Sequence, residues 1–209
     1  MTSADRPLDS FPRPNVAVDT AVLTVLDDEL SVVLSDTQGD LRLPGTFLRP
    51  GERLRDAVQR SLDQKAGIRD LVPEQLDVFD DPERDTRGWV LSVAHFAVVP
   101  SRHIDSASAR VVPVRGIGPL PFDHEEIVRQ AVGRLRREYD RTADPRGLAG
   151  TAGTAFTLRD LQRLHEAVAG EELRRETFRK RMEPQVEPTG ETLRGVVGKP
   201  PRLFRRKQR

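Results

Sequence analysis

The 209-residue chain carries 34 Lys and Arg against 33 Asp and Glu and is 36% hydrophobic, a balance that fits one large globular domain or a medium one with a small one. It has no cysteine, which excludes disulfides, thiolate metal sites and a cysteine nucleophile and fits a reducing, cytoplasmic setting. No stretch approaches the length of a membrane-spanning helix, and the polar, proline-broken residues 1–14 hold no apolar run of a signal peptide, so they read as a disordered leader.

From Val16 to Leu26 an apolar, β-branched run predicts a strand; Asp27 and Asp28 turn the chain, and Leu30 to Leu34 returns as the hairpin partner. Residues 35–51 are rich in turn formers and predict a loop. A helix is expected over 53–66, because Leu54, Val58 and Leu62 recur on one face and Gly67 stands where a left-handed C-terminal residue belongs. Strands are expected at 76–79, 89–99 and 110–114. Asp123, with Glu126 three residues on, predicts a capping box opening a second helix, whose stripe is Ile127, Ala131, Leu135 and Tyr139. Residues 15–140 thus form one mixed α+β domain. Residues 141–154, rich in Gly, Ala, Thr and Asp, read as a linker to a second domain over 155–209.

The near-zero net charge hides an asymmetry. Residues 151–209 carry 14 Lys and Arg against 8 Asp and Glu, whereas residues 1–150 carry a net charge of −5. A basic end on an acidic body suggests a polyanion-binding module joined to something else. Within it, Thr157 to Asp160 is a capping pattern, Leu158, Leu161, Leu164 and Val168 have helical spacing, and Gly170 closes the helix. After a short turn, residues 174–182 predict a second helix ending before Pro184, the helix-turn-helix layout. At ~100° per residue, Phe178 and Met182 share an inner face, and the opposite face carries Thr177 and Lys180 flanked by Arg179 and Arg181. These residue types reach phosphates and base edges. Residues 186–205, with a Pro-Thr-Gly turn, predict a β-hairpin wing with a basic tip and return strand. Candidate DNA contacts are Thr157, Arg174, Thr177, Arg179, Lys180, Arg181, Arg194, Lys199 and Arg202.

Residues 43–68 resemble the Nudix motif, G-x5-E-x7-R-E-U-x-E-E-x-G-U with U apolar. Glu52, Arg60, Leu62, Gly67 and Ile68 fall in register, and Leu43-Pro44-Gly45 and Pro50-Gly51 flank them as in that family. The departures lie at the metal-holding positions: Ser61 replaces one glutamate and Gln64-Lys65 replaces a pair, while Thr46 replaces the first glycine. Divalent cations need several carboxylates to offset their charge. The resemblance therefore implies a Nudix α/β/α sandwich that binds without hydrolysing, with no metal or cofactor. Lys65 could stand in for metal charge beside a phosphate. Glu52 and Arg60 could equally form a loop–helix ion pair. By residue type alone, Glu83, Asp85, Asp123 and Glu125 are the remaining candidates for a base.

Three further segments resemble the NrtR-type Nudix-related transcriptional regulators. One is the arginine-dense 80–90, with Arg84, Asp85 and Arg87-Gly88; another is Phe122-Asp123-His124 at the start of the last Nudix helix. The third runs from Phe156 to Phe204, with Glu187-Pro188-Thr189-Gly190-Glu191, Gly198-Lys199-Pro200 and Arg202-Leu203-Phe204. The resemblance implies a homodimeric repressor of NAD-metabolism genes that binds palindromic operator DNA and senses ADP-ribose or a related nucleotide. Candidate ligand contacts are Arg49, Glu52, Arg60, Arg84, Arg87 and His124; an arginine fork suits a diphosphate. The alternatives are an active nucleotide pyrophosphohydrolase with a nucleic-acid-binding module, and a pseudoenzyme that binds RNA. The lack of a basic strand interleaved with aromatic residues disfavours the last.

Overall fold

The structure is a computed structural model that describes residues 7, 10–37, 39–104, 109–149, 155–193, 195 and 200–207. The apolar run predicted as a strand is β1 (Asn15–Leu26), and residues 18–23 are buried throughout. Burial on both faces fits its place mid-sheet. It pairs antiparallel with β2 (Glu29–Thr37) and parallel with β6 (Val90–Val98). The β1–β2 turn is a two-residue one, with Asp27 and Asp28 both at positive φ (51° and 61°). That is the backbone a tight hairpin requires.

Residues 35–51, expected to be a loop, hold two short strands. β3 (Asp40–Arg42) pairs with β2, and β4 (Gly45–Phe47) pairs with β1. Three-residue strands have too little alternation to stand out among turn formers. β5 (Glu74–Phe79) and β7 (Arg110–Pro113) complete a seven-stranded sheet in the order β3-β2-β1-β6-β5, with β4 against β1 and β7 against β2.

α1 (Leu54–Ala66) covers one face through Ala57, Val58, Leu62 and Ala66, over Val18, Val22 and Val33. α2 (His124–Arg141) covers the other through Ile127, Ala131, Leu135 and Tyr139, over Ala21, Leu23, Val32 and Phe96. One odd–even alternation along β1 feeds both cores, which makes an α/β/α sandwich. The capping box expected at Asp123 does not form. The Asp123 carboxylate takes Arg84 instead, and Glu126 pairs with Arg129.

In the second domain, α3 (Leu158–Ala169) opens with the predicted capping box, Thr157 and Asp160 bonding each other's backbone N–H. α4 (Arg175–Met182) buries Phe178 and Met182 as its spacing predicts. β8 (Val186–Thr192) and β9 (Arg202–Arg206) form the wing. The expected Pro-Thr-Gly turn is instead an irregularity inside β8, between Pro188 and Thr192, with Gly190 at φ +84°. The core is small: Ala143, Phe156, Leu161, Phe178, Met182, Val186 and Phe204. A domain of this size is marginal alone, and α3 places Leu164 and Val168 in the core of the first domain beside α2.

The described part of the predicted linker is correspondingly fixed. Asp144 is buried and accepts from the Tyr139 hydroxyl (3.0 Å) and the Leu148 and Ala149 amides (2.9 and 3.2 Å). Arg146 pairs with Glu138 and Glu74 and stacks over Phe96. Residues 150–154 of that segment lie outside the described residues, as do all of the predicted leader but Pro7 and residues 10–14. Among the described residues no helix is long and apolar enough to cross a membrane.

Candidate functional site

A cleft opens where β4, the end of α1, the 84–87 segment and the start of α2 converge on β1. Its lining includes Asp19, Arg42, Lys65, Arg84, Arg87 and His124. Asp19 is the hub. Ser92 Oγ donates to its Oδ2 (2.6 Å), His124 Nε2 lies 3.3 Å from Oδ1, and the Arg84 guanidinium is 3.8 Å away. Burial alone would raise its pKa, but His124, Ser92 and Arg84 together hold it below the usual value. The Leu43 amide donates to His124 Nδ1 (3.1 Å), which leaves Nε2 to carry the proton toward Asp19. Gly45 has no alternative here: a Cβ would sit 1.9 Å from Asp19 Oδ1 and 2.9 Å from the Val18 carbonyl oxygen.

The structure brings Arg84, Arg87 and His124 together and sets Glu52, Arg60 and Arg49 apart from them. Glu52 and Arg60 form a two-pronged ion pair at 2.8 Å on both arms. Arg60 also reaches Thr46 Oγ1 and the Phe47 carbonyl, and Glu52 accepts from the Arg49 amide. This is the loop–helix clamp, and it draws the Glu52 carboxyl down to about 2, chiefly through the Arg60 hydrogen bonds. Arg49 is exposed and does not line the cleft. His124 is buried, with both ring nitrogens engaged.

Arg84 is only 3% exposed at its side chain and bonds Asp123 at 2.5 Å, yet one of its terminal nitrogens has no hydrogen-bond partner among the described residues. A buried donor left over in this way calls for a ligand or water. Arg42 Nε is a second such donor on the same cleft. Arg87 is 63% exposed; Asp85 grips it from below, and Phe47 and Phe122 flank it at 5.7 and 5.4 Å. Arg87 in turn holds the Asp85 carboxyl at about 2.

The other candidates for a base are also placed. Asp123 is taken by Arg84, Glu125 accepts from the Leu120 amide, and Glu83 is exposed. Sequence reasoning passed over Asp19, Arg42 and Phe47, and took Phe122 only as part of a motif. An acid inside a buried apolar strand, as in Val18-Asp19-Thr20, is the one available clue, because burying an unpartnered charge is costly.

On the second domain, Arg174, Arg175, Thr177 and Lys180 are exposed and, among the described residues, none is in an ion pair. Arg179 and Arg202 both hold Glu183 at 2.8 Å, and Arg181 reaches Asp140 at 3.1 Å. Thr157 departs from its expected role: it is buried, and its hydroxyl is spent on the cap of α3. Arg194 and Lys199 lie outside the described residues.

Fold and site together define a two-domain protein, a Nudix sandwich with an arginine-lined cleft packed against a winged helix. Residues 152–206 match the NrtR DNA-binding winged helix domain family. The ADPR-responsive transcriptional repressor NtrR of Acinetobacter baylyi is 29% identical over 93% of this chain and 83% of its own. An ADP-ribose pyrophosphatase of Methanocaldococcus jannaschii is 29% identical over 57% of this chain and 73% of its own. Shewanella oneidensis NrtR, solved with a 27mer DNA, superposes with TM-score 0.73 and 28% identity, covering 92% of this chain and 93% of that one. Its Nudix domain, solved with ADP ribose, covers 65% of this chain and 99% of itself, with TM-score 0.55 and 27% identity. Along nearly its whole length the chain is similar to the NrtR-type Nudix-related transcriptional regulators.

Proposed function

We propose that this protein is a transcriptional repressor that binds operator DNA through its winged helix and senses ADP-ribose in its Nudix cleft. One observation carries the reading: the same two-domain architecture, over nine-tenths of both chains, is that of a protein crystallised on DNA. A Nudix domain of that type has been crystallised with ADP ribose. The spare guanidinium donors of Arg84 and Arg42 supply hydrogen bonds for a diphosphate, with Arg87 and the Phe47 and Phe122 rings at the rim. We assign the DNA contacts to Arg174 at the start of α4, to Thr177 and Lys180 on α4 as the recognition helix, and to Arg202 on β9; Arg194 and Lys199, outside the described residues, are proposed as further contacts. By similarity to these regulators, the protein acts in the cytoplasm as a homodimer on a palindromic site controlling NAD-metabolism genes. Two recognition helices would then enter successive major grooves.

The cleft binds without hydrolysis in this reading, because Ser61, Gln64 and Lys65 stand where a pyrophosphohydrolase needs carboxylates. The test pairs two assays on one preparation: binding to operator against scrambled duplex at fixed salt, and Mg²⁺-dependent release of AMP from ADP-ribose. Sequence-selective binding without AMP release is expected. Rapid AMP release would instead favour a pyrophosphohydrolase with an appended DNA-binding domain.

A further inference from the structure

The Nudix sandwich implies a Mg²⁺ or Mn²⁺ ion held by glutamates of α1, and the residues present do not fit one. Ser61 is buried, with an Oγ that has no hydrogen-bond partner among the described residues, and Gln64 is exposed. Both Glu52 oxygens are taken by Arg60 and the Arg49 amide. The Asp19 oxygens are taken by Ser92 and His124. Among the described residues, no three His, Asp or Glu side chains converge as a metal site would require.

What stands there instead is Lys65. It lies one turn after Ser61 on the same face of α1, and its ammonium donates to the Gly45 carbonyl oxygen. A backbone carbonyl is the hard oxygen donor that a divalent ion would otherwise take. Four of the residues lining the cleft are basic (Arg42, Lys65, Arg84, Arg87) and two are acidic (Asp19, Asp85). A cleft that loads a metal before a diphosphate needs the opposite balance. Burial lowers the Lys65 pKa and Asp19 opposes that shift; a bound phosphate would oppose it further.

We propose that Lys65 is a built-in counter-cation, so that the cleft takes a diphosphate without a divalent metal. The inference rests on the reading of this cleft as a diphosphate site. It makes a divalent ion a competitor: Mg²⁺ neutralises the free diphosphate in solution and finds no carboxylate set to join in the cleft.

The test is calorimetric titration of the full chain with inorganic pyrophosphate and, separately, ADP-ribose, each in EDTA and in excess Mg²⁺. Binding of pyrophosphate in EDTA is expected, with no gain from Mg²⁺. Lys65→Met should weaken it on the order of tenfold to a hundredfold, the loss of one charge-assisted contact. Lys65→Arg should restore most of it, and an unchanged thermal melt would separate these effects from misfolding. The proposal is overturned if pyrophosphate binds only with Mg²⁺, binds Lys65→Met as well as the parent, or does not bind in EDTA. The two readings fail separately. Pyrophosphate binding without ADP-ribose binding removes the ADP-ribose assignment and leaves Lys65 its role. ADP-ribose binding that requires Mg²⁺ does the reverse.

Discussion

Glu52 and Arg84 both sit in segments that resemble ligand-handling motifs, yet Glu52 is locked to Arg60 while Arg84 keeps a free donor. Spacing along the chain cannot separate them, because the difference lies in which neighbour arrives first in three dimensions. The Glu52 clamp has a pH signature. Its carboxyl is held at about 2 in the fold, against 4.5 ordinarily. The unfolded chain therefore takes up this proton first on acidification. The clamp's contribution is complete above pH 4.5 and is lost as pH falls toward about 2. Glu52→Gln should flatten that part of the acid-unfolding curve, followed by circular dichroism against pH. A curve identical to the parent's would show that the clamp carries no stability.

At the scale of elements, the long periodic ones were legible: β1, β2, β6, α1, α2, α3 and α4 all lie where the hydrophobic pattern puts them. β3 and β4 were not, although β4 carries Gly45 and Thr46 into the cleft, because tertiary pairing rather than pattern makes them strands. Packing between elements was equally hidden. His165 of α3 is buried edge-to-face between Tyr139 of α2 (5.1 Å) and Phe178 of α4 (5.0 Å), and its Nε2–H donates to the Ala143 carbonyl at 2.6 Å. Burial lowers its pKa; Arg181 adds to the effect, while the Ala143 bond and Asp140 oppose it. The unfolded histidine binds a proton first, so this contribution is intact above about pH 6.5 and falls away below it. His165→Phe should keep the stack, lose about 1–3 kcal/mol with the hydrogen bond, and remove that pH dependence. Urea unfolding on either side of pH 6.5 measures both. On α4, Lys180→Ala should weaken binding to every duplex about equally and lower the salt slope by about 1. A loss confined to one operator sequence would instead mean that Lys180 reads a base.

For the whole molecule, residues 141–154 were expected to be a linker between two domains, and the two share a core, with α3 seated against α2. Nothing in the residue pattern signals this, since Leu164 and Val168 read equally well as the inner stripe of a free-standing helix. The arrangement offers a short physical route from cleft to DNA. α2 begins at His124, which touches Asp19, and near its far end Tyr139 meets His165 and, through it, Phe178 of α4. A ligand acts along such a route only if it favours one arrangement of the winged helices over another. The most direct measurement is operator affinity of the full chain at fixed salt, with and without saturating ADP-ribose, together with ADP-ribose affinity with and without operator. Both should change by the same factor, typically about 5- to 150-fold, because binding linkage is reciprocal. Selective DNA binding that stays the same at saturating ADP-ribose would contradict the account.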